Sequence, residues 1–194
     1  LLILLRELAD GNHAHWADSV VLLIAPLYNP DGNERVSPTN RRGQHGPVEG
    51  MGQRPNAMGL DLNRDHMKLE SPEARSLAKL LTEYDPHVGV DLHTTNGSTH
   101  AYRVTYSSPL HPNTHPAITE ILKGEGGLFP FMTEQVKAKH GYDFYYYGGP
   151  RRGPEGRGWY TYDHRPRFGT GYLGLRNRLG ILSEAYSYSP FEER

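Results

Sequence analysis

The sequence predicts an α/β fold with a largely parallel sheet. Three apolar, β-branched segments carry the prediction: residues 20–25, 88–92 and 180–186. The first two end in polar loop residues, and a helix with one apolar face lies between them. Strand, helix and strand in that order favour parallel pairing, because a parallel neighbour needs a crossover connection.

Residues 1–9 read as an apolar helix, stopped by Asp10-Gly11-Asn12. Val20-Val21-Leu22-Leu23-Ile24-Ala25 is continuously apolar, as a central strand buried on both faces is. Asn29-Pro30-Asp31-Gly32 then forms a turn. Residues 33–60 hold five Gly, three Pro and four Arg without periodicity, so they form a long irregular loop. Ser71 is an N-cap and Pro72 the first helical residue, and Ala74, Leu77, Ala78 and Leu81 share one face of the helix that follows. Asp85-Pro86 ends it, and residues 88–92 are a second buried strand. Residues 101–106 are a weaker strand, and 114–123 and 132–140 are helices. Residues 141–172 form a second loop region rich in Gly, Tyr and Arg, before the last strand at 180–186. No repeat or linker divides the chain, so residues 1–194 form a single domain.

Composition excludes several classes. With 21 basic and 22 acidic side chains the net charge is -1, which argues against a dedicated nucleic-acid binder. Residues 141–172 interleave ten aromatics with five Arg, but Asp143, Glu155 and Asp163 dilute that charge. No apolar run is long enough to span a bilayer. There is no Cys, so a metal site must use His and carboxylates, and the chain has eleven His.

In open α/β sheets, sites form beyond the carboxyl ends of strands. His93 directly follows a buried strand, where a neutral imidazole can ligate zinc. Glu184 lies inside an apolar strand, where burial raises a carboxyl pKa into the range of a general base. In Gly59-Leu60-Asp61-Leu62-Asn63-Arg64-Asp65, an extended backbone puts Asp61 and Asn63 on one face. Asp61 can then orient a metal-bound His, and Asn63 and Arg64 can grip a substrate carboxylate. His13 and His15 sit in a solvated loop, and prolines interrupt any helix aligning His111 with His115.

Asn29-Pro30-Asp31-Gly32, then Gly59-Leu60-Asp61-Leu62-Asn63-Arg64, Asp91-Leu92-His93 and Glu184, in this order, resemble the zinc carboxypeptidases of the carboxypeptidase A type. The resemblance implies a mixed, largely parallel twisted sheet sandwiched by helices. It implies one Zn²⁺ per complete domain, with His93 as third ligand, and Asp61 orienting the first zinc-binding His. It makes Asn63 and Arg64 the pair that binds the free C-terminal carboxylate of a peptide, and Glu184 the base that activates a zinc-bound water. Arg41 or Arg42 then stabilises the oxyanion, and Tyr162 has the spacing of the family's mobile Tyr.

The family takes its first two ligands from a His-x-x-Glu motif, which is absent here, as is the helix that closes its domain. Residues 188–194 read as the start of a helix, and residues 1–9 begin without a cap. The expectation is therefore a partial catalytic domain, inactive as it stands, from a parent metallocarboxypeptidase. Two other readings share parts of the pattern: a zinc deacylase of N-acyl amino acids, like aspartoacylase or succinylglutamate desuccinylase, and a non-catalytic carboxypeptidase-like binding domain. The 29–32 turn and the long 33–60 loop favour the peptidase. Localisation is not legible in the residues; family habit leans towards export.

Overall fold

The computed structural model describes residues 1–190. Helix α1 (Leu2–Ala9) starts the chain and contains no buried residue. After a 3₁₀ turn, α2 (Pro30–Glu34) is one short turn capped by Asn29, whose side chain accepts from Gly32 N–H at 2.9 Å. Helix α3 (Pro72–Tyr84) leads into strand β1 (Val88–Thr94), and β2 (Val104–Ser107) follows. Helices α4 (Pro116–Lys123) and α5 (Leu128–His140) precede β3 (Phe144–Tyr146). Then come the hairpin of β4 (Gly149–Gly153) and β5 (Gly156–Tyr160), helix α6 (Gly169–Leu175) and strand β6 (Leu179–Ala185).

The main sheet has the order β1-β6-β2-β3. The β1–β6 and β2–β3 ladders are parallel, and β2–β6 is antiparallel. This is the mixed, largely parallel sheet that the sequence predicts. Successive residues of a strand point to opposite faces, so β6 organises two layers. Ile181 joins the core of Tyr106, Phe144, Ile118, Leu122 and Phe129, which docks α4 and α5 on one face. Gly180, on the other face, receives α6; a Cβ there would meet Thr170 O at 2.8 Å. Gly89 of β1 is its register partner, and a Cβ on it would meet Leu173 at 2.6 Å. This glycine pair lets α6 sit close over the amino ends of β1 and β6. Beyond the helix the same face carries Asp91, His93, Leu182 and Glu184.

Two expectations about strands need correction. Residues 20–25 form no strand, and Val21 is 88% exposed. An apolar run becomes a strand only with a ladder partner, and among the described residues this run has none. Residues 88–92 do form a strand, but not one buried on both faces. β1 lies at the sheet edge and exposes Val88, Val90 and Leu92. Elsewhere the differences are of extent. Helix α5 starts at Leu128, and the 141–172 region contains β3 and the β4–β5 hairpin as well as loop. The helix start expected at 188–194 lies partly outside the described residues.

Candidate active site

The loop of residues 33–60 is ordered by short polar side chains. Gly32 O accepts from Gln53 N–H at 2.9 Å, and Asn29 Nδ2 donates to Arg54 O at 2.9 Å. Asp31 Oδ2 accepts from Ala57 N–H at 2.9 Å. The Asn29–Gly32 turn thus fixes the backbone that carries Arg54. Asn56 is buried and its Oδ1 accepts from Met58 and Leu60 N–H, which shapes the approach to Asp61.

Asp61 is extended, but the chain turns at Leu62, contrary to the expectation of an extended segment through Asn63. Asp61 caps a 3₁₀ turn (Leu62–Arg64), its Oδ1 accepting from Asn63 N–H at 3.0 Å. A short acid that can bond the backbone two residues on prefers this to an extended chain. Its Oδ2 pairs with Arg54 Nε at 2.7 Å. Arg64 donates to Asn63 O at 2.7 Å and lies over the Phe168 ring at 4.5 Å. Buried Asp65 anchors the turn to α3 by accepting from Glu70 N–H, Ser71 N–H and Ser71 Oγ.

A cavity of about 720 Å³ opens at the carboxyl ends of β1 and β6. Its wall holds His93, Glu184, Asn63, Arg64, Arg41, Arg42 and Tyr162, all expected from sequence, together with Asp91, Arg54 and Tyr147. Asp61 stands behind Arg54 instead of on the wall. Tyr162 is tied down, its hydroxyl bonding Ser107 Oγ at 3.2 Å and Thr170 Oγ1 at 2.9 Å. Tyr147 lies beside it, its ring 5.8 Å from that of Tyr162.

His93 and Asp91 share a strand face, and Asp91 Oδ1 lies 3.0 Å from His93 Nε2. That leaves Nδ1 directed at Glu184, 3.9 Å from Oε1. Glu184 is 6% exposed, and its Oε2 is buried without a hydrogen-bond partner among the described residues. Burial pushes its pKa up to about 7; the charges of His93 and Arg54 act the other way, and Asp91 adds to the rise. Burial works against the His93 imidazolium, but the Asp91 hydrogen bond and the charges of Asp91 and Glu184 outweigh it and raise the pKa. Arg41 and Arg64 are both held below the usual guanidinium range, first by burial and then by the charge of Arg54.

His93 suits a metal: one ring nitrogen is fixed by a carboxylate and the other faces a buried acid with an orphan oxygen. The donor set is nevertheless incomplete. Among the described residues no group of three or more His, Cys, Asp or Glu could hold a metal ion. Among them, too, no helix is long and apolar enough to cross a membrane.

Arg54 and Asp91 are the site residues that sequence reasoning missed as such. Asp91 was legible, since i and i+2 of a strand share a face. Arg54 was hidden, because an irregular loop has no period from which to read a direction.

Comparison with known proteins identifies the family and the fold. The family model for zinc carboxypeptidase (peptidase M14) matches residues 1–148. Carboxypeptidase 2 of Trichophyton rubrum is 31% identical over 97 residues, covering 48% of this chain and 15% of that protein. The probable carboxypeptidase 2 of Arthroderma benhamiae is 32% identical over 97 residues, with the same coverage. The chain thus spans about 15% of the length of these curated relatives. A metallo-carboxypeptidase from Burkholderia cenocepacia superposes with a TM-score of 0.54 at 20% identity, over 84% of this chain and 35% of that one. The metallo-carboxypeptidase from Pseudomonas aeruginosa, solved in complex with (2-guanidinoethylmercapto)succinic acid, gives 0.51 at 18% identity, over 82% and 35%. At such identities the structures establish the fold; the family model, matched over most of the sequence, establishes more, and the chain belongs to the zinc carboxypeptidase family.

Proposed function

We propose that the parent protein is a zinc-dependent exopeptidase that removes C-terminal residues from peptides. The observation that carries the reading is the pairing of an oriented imidazole, His93, with a buried carboxyl, Glu184, in a cavity that also holds Arg64. His93 would hold zinc together with ligands that the described residues do not supply. Bound zinc would supply Lewis-acid polarisation of the scissile carbonyl and a more acidic water.

The chain's own residues divide the remaining work. Glu184, with a pKa near neutrality, accepts a proton from the attacking water and returns it to the leaving amine. Arg64 binds the substrate's terminal carboxylate through its planar fork, and Asn63 lines the same wall. One guanidinium of the wall stabilises the oxyanion. Arg41 and Arg42 are the family-based candidates, but Arg54 has the better claim. Its charge acts on both His93 and Glu184, between which the reaction takes place. Tyr162, held by Ser107 and Thr170, serves as a fixed wall of the substrate cavity.

The test compares one peptide as free acid and as C-terminal amide, with an N-acyl amino acid as third substrate, using the zinc-loaded parent protein. The reading expects cleavage of the acid and little of the amide. Equal rates on both forms refute the clamp, and preference for the N-acyl amino acid makes the parent a deacylase. No hydrolysis of any of the three leaves a binding domain.

A further inference from the structure

We infer that Phe168 is a positioning residue, whose ring holds the Arg64 guanidinium where a substrate's terminal carboxylate arrives, an inference that rests on the exopeptidase reading and adds what makes its carboxylate clamp work.

Arg64 needs such a holder. Its side chain has several rotatable bonds, and fixing them costs entropy. Its hydrogen-bond partner is a backbone carbonyl, Asn63 O, 2.7 Å from Nη1. Asp61 and Asp163 are the acids whose charges reach it, and both are paired elsewhere. Asp61 pairs with Arg54 at 2.7 Å, and Asp163 with Arg165 at 2.7 Å and Arg167 at 3.1 Å. Arg64 thus stands on the cavity wall with its charge still to be met. Its Cζ lies 4.5 Å from the centre of the Phe168 ring. An aromatic face attracts a guanidinium through its quadrupole. The ring carries no net charge, so it does not compete with the substrate's carboxylate. An acid in its place would fix Arg64 as well, but would also neutralise it.

The ring is itself held. Phe168 is 8% exposed and lines the cavity. The Tyr162 ring meets it edge-on, with centroids 4.8 Å apart. The Tyr162 hydroxyl bonds Thr170 Oγ1 at 2.9 Å, and Phe168 O accepts from Tyr172 N–H at 2.9 Å as α6 begins. Gly169, between Phe168 and Thr170, is packed so closely that a Cβ on it would meet Asp91 Oδ2 at 3.2 Å and His66 Nε2 at 3.3 Å. Three successive residues at the start of α6 therefore stand against Arg64, against the acid that orients His93, and against Tyr162. Because α6 rests on the sheet at Gly89 and Gly180, the clamp is placed relative to His93 by the sheet as well as by its own turn. Arg167 also lies over the Phe168 ring, at 5.0 Å, but Asp163 answers its charge and it is not part of the cavity wall. Arg64 is the guanidinium of that ring left for the substrate.

The experiment uses the zinc-loaded parent protein and one peptide as free acid and as C-terminal amide. Phe168→Leu stays apolar but loses the aromatic face. It should raise KM for the acid by about 2–30-fold, the range of a cation–π contact, and leave kcat within about two-fold, since the contact acts on ground and transition states alike. KM for the amide, which has no terminal carboxylate, should not rise. In an Arg64→Ala background Phe168→Leu should raise KM no further. Phe168→Tyr should keep the wild-type KM. Mono-, di- and trifluorinated phenylalanine at position 168 weaken the aromatic face with little change of shape, so KM for the acid should climb along the series. That series decides the matter if Phe168→Leu does not fold. A KM that stays flat across the series, with the acid still preferred over the amide, overturns the inference and leaves the exopeptidase intact. So does an equal rise in KM in the Arg64→Ala background, which makes Phe168 a packing residue. Equal cleavage of acid and amide by the wild type, or cleavage of neither, brings down the exopeptidase reading and this inference with it.

Discussion

His93 and Glu184 are register partners across the parallel β1–β6 ladder, and their side chains leave the sheet on the same face, with Nδ1 3.9 Å from Oε1. Two strands far apart in sequence thus deliver a ligand-type nitrogen and a proton acceptor to one point. No loop conformation has to be right for that, because the ladder sets it. Glycines at an earlier register pair of the same ladder, Gly89 and Gly180, bring α6 down onto the sheet and leave the carboxyl ends open.

Glu184→Gln in the parent protein should keep the metal and lose hydrolysis. Gln nearly conserves shape but cannot accept the water's proton, and loss of a general base lowers kcat by about 10²–10⁴-fold. Zinc content by elemental analysis is measured beside kcat. Near wild-type turnover at full zinc would remove Glu184 from the mechanism.

The metal-free 194-residue chain should lose stability as pH rises from about 5 to 8. The folded Glu184 has a pKa of about 7 against an ordinary value of 4.5, so the folded state binds the proton more tightly. Stability therefore falls as pH rises from the unfolded value through the folded one, by roughly 3 kcal/mol in total. His93 acts in the same direction: its raised pKa gives stability that is full below the unfolded value and lost as pH rises through the folded one. Urea unfolding at pH 5 and pH 8 measures the difference, and Glu184→Gln should flatten most of it. An unchanged slope in that variant would show that burial does not govern this carboxyl.

These side chains differ in how far the sequence announced them. Glu184 and His93 were legible because a polar residue in or just after an apolar run has few other places to be. The Ser71–Pro72 start of α3 was legible because capping is local chemistry. Residues 20–25 misled, since an apolar run carries no information about whether a ladder partner exists. The 61–63 segment misled for the opposite reason: the side chain of Asp61 bonds its own backbone and overrides the extended reading. Arg41, Arg42 and Arg54 reach the cavity through hydrogen bonds to carbonyls distant in sequence, and no spacing rule encodes those.

Asp91→Asn should weaken metal retention in the parent protein while leaving the fold intact. Asp91 accepts from His93 Nε2, which keeps Nδ1 unprotonated and aimed at the site. An amide can present its own N–H there and favour the wrong tautomer. Loss of such a supporting contact lowers metal affinity by about 10–100-fold. Competition with a chromogenic chelator gives the affinity, and far-ultraviolet circular dichroism controls for folding. Affinity equal to wild type would mean that the strand alone orients the imidazole.

Arg64 and Arg54 should fail in different kinetic parameters, although both are arginines of one cavity wall. Arg64, stacked on Phe168, is assigned to a carboxylate that is charged in the ground state and in the transition state alike. Removing such uniform binding raises KM and changes kcat little. Arg54 is assigned to an oxyanion that exists only once the carbonyl has been attacked. Removing it should lower kcat by about 10²–10³-fold with a modest change in KM. The pair Arg64→Ala and Arg54→Ala, assayed on one free-acid peptide, separates the roles. Arg54→Lys adds a control, because it keeps the charge but loses the fork that pairs with Asp61. A large KM effect in Arg54→Ala with kcat preserved would exchange the two assignments, and would return the oxyanion to Arg41 or Arg42.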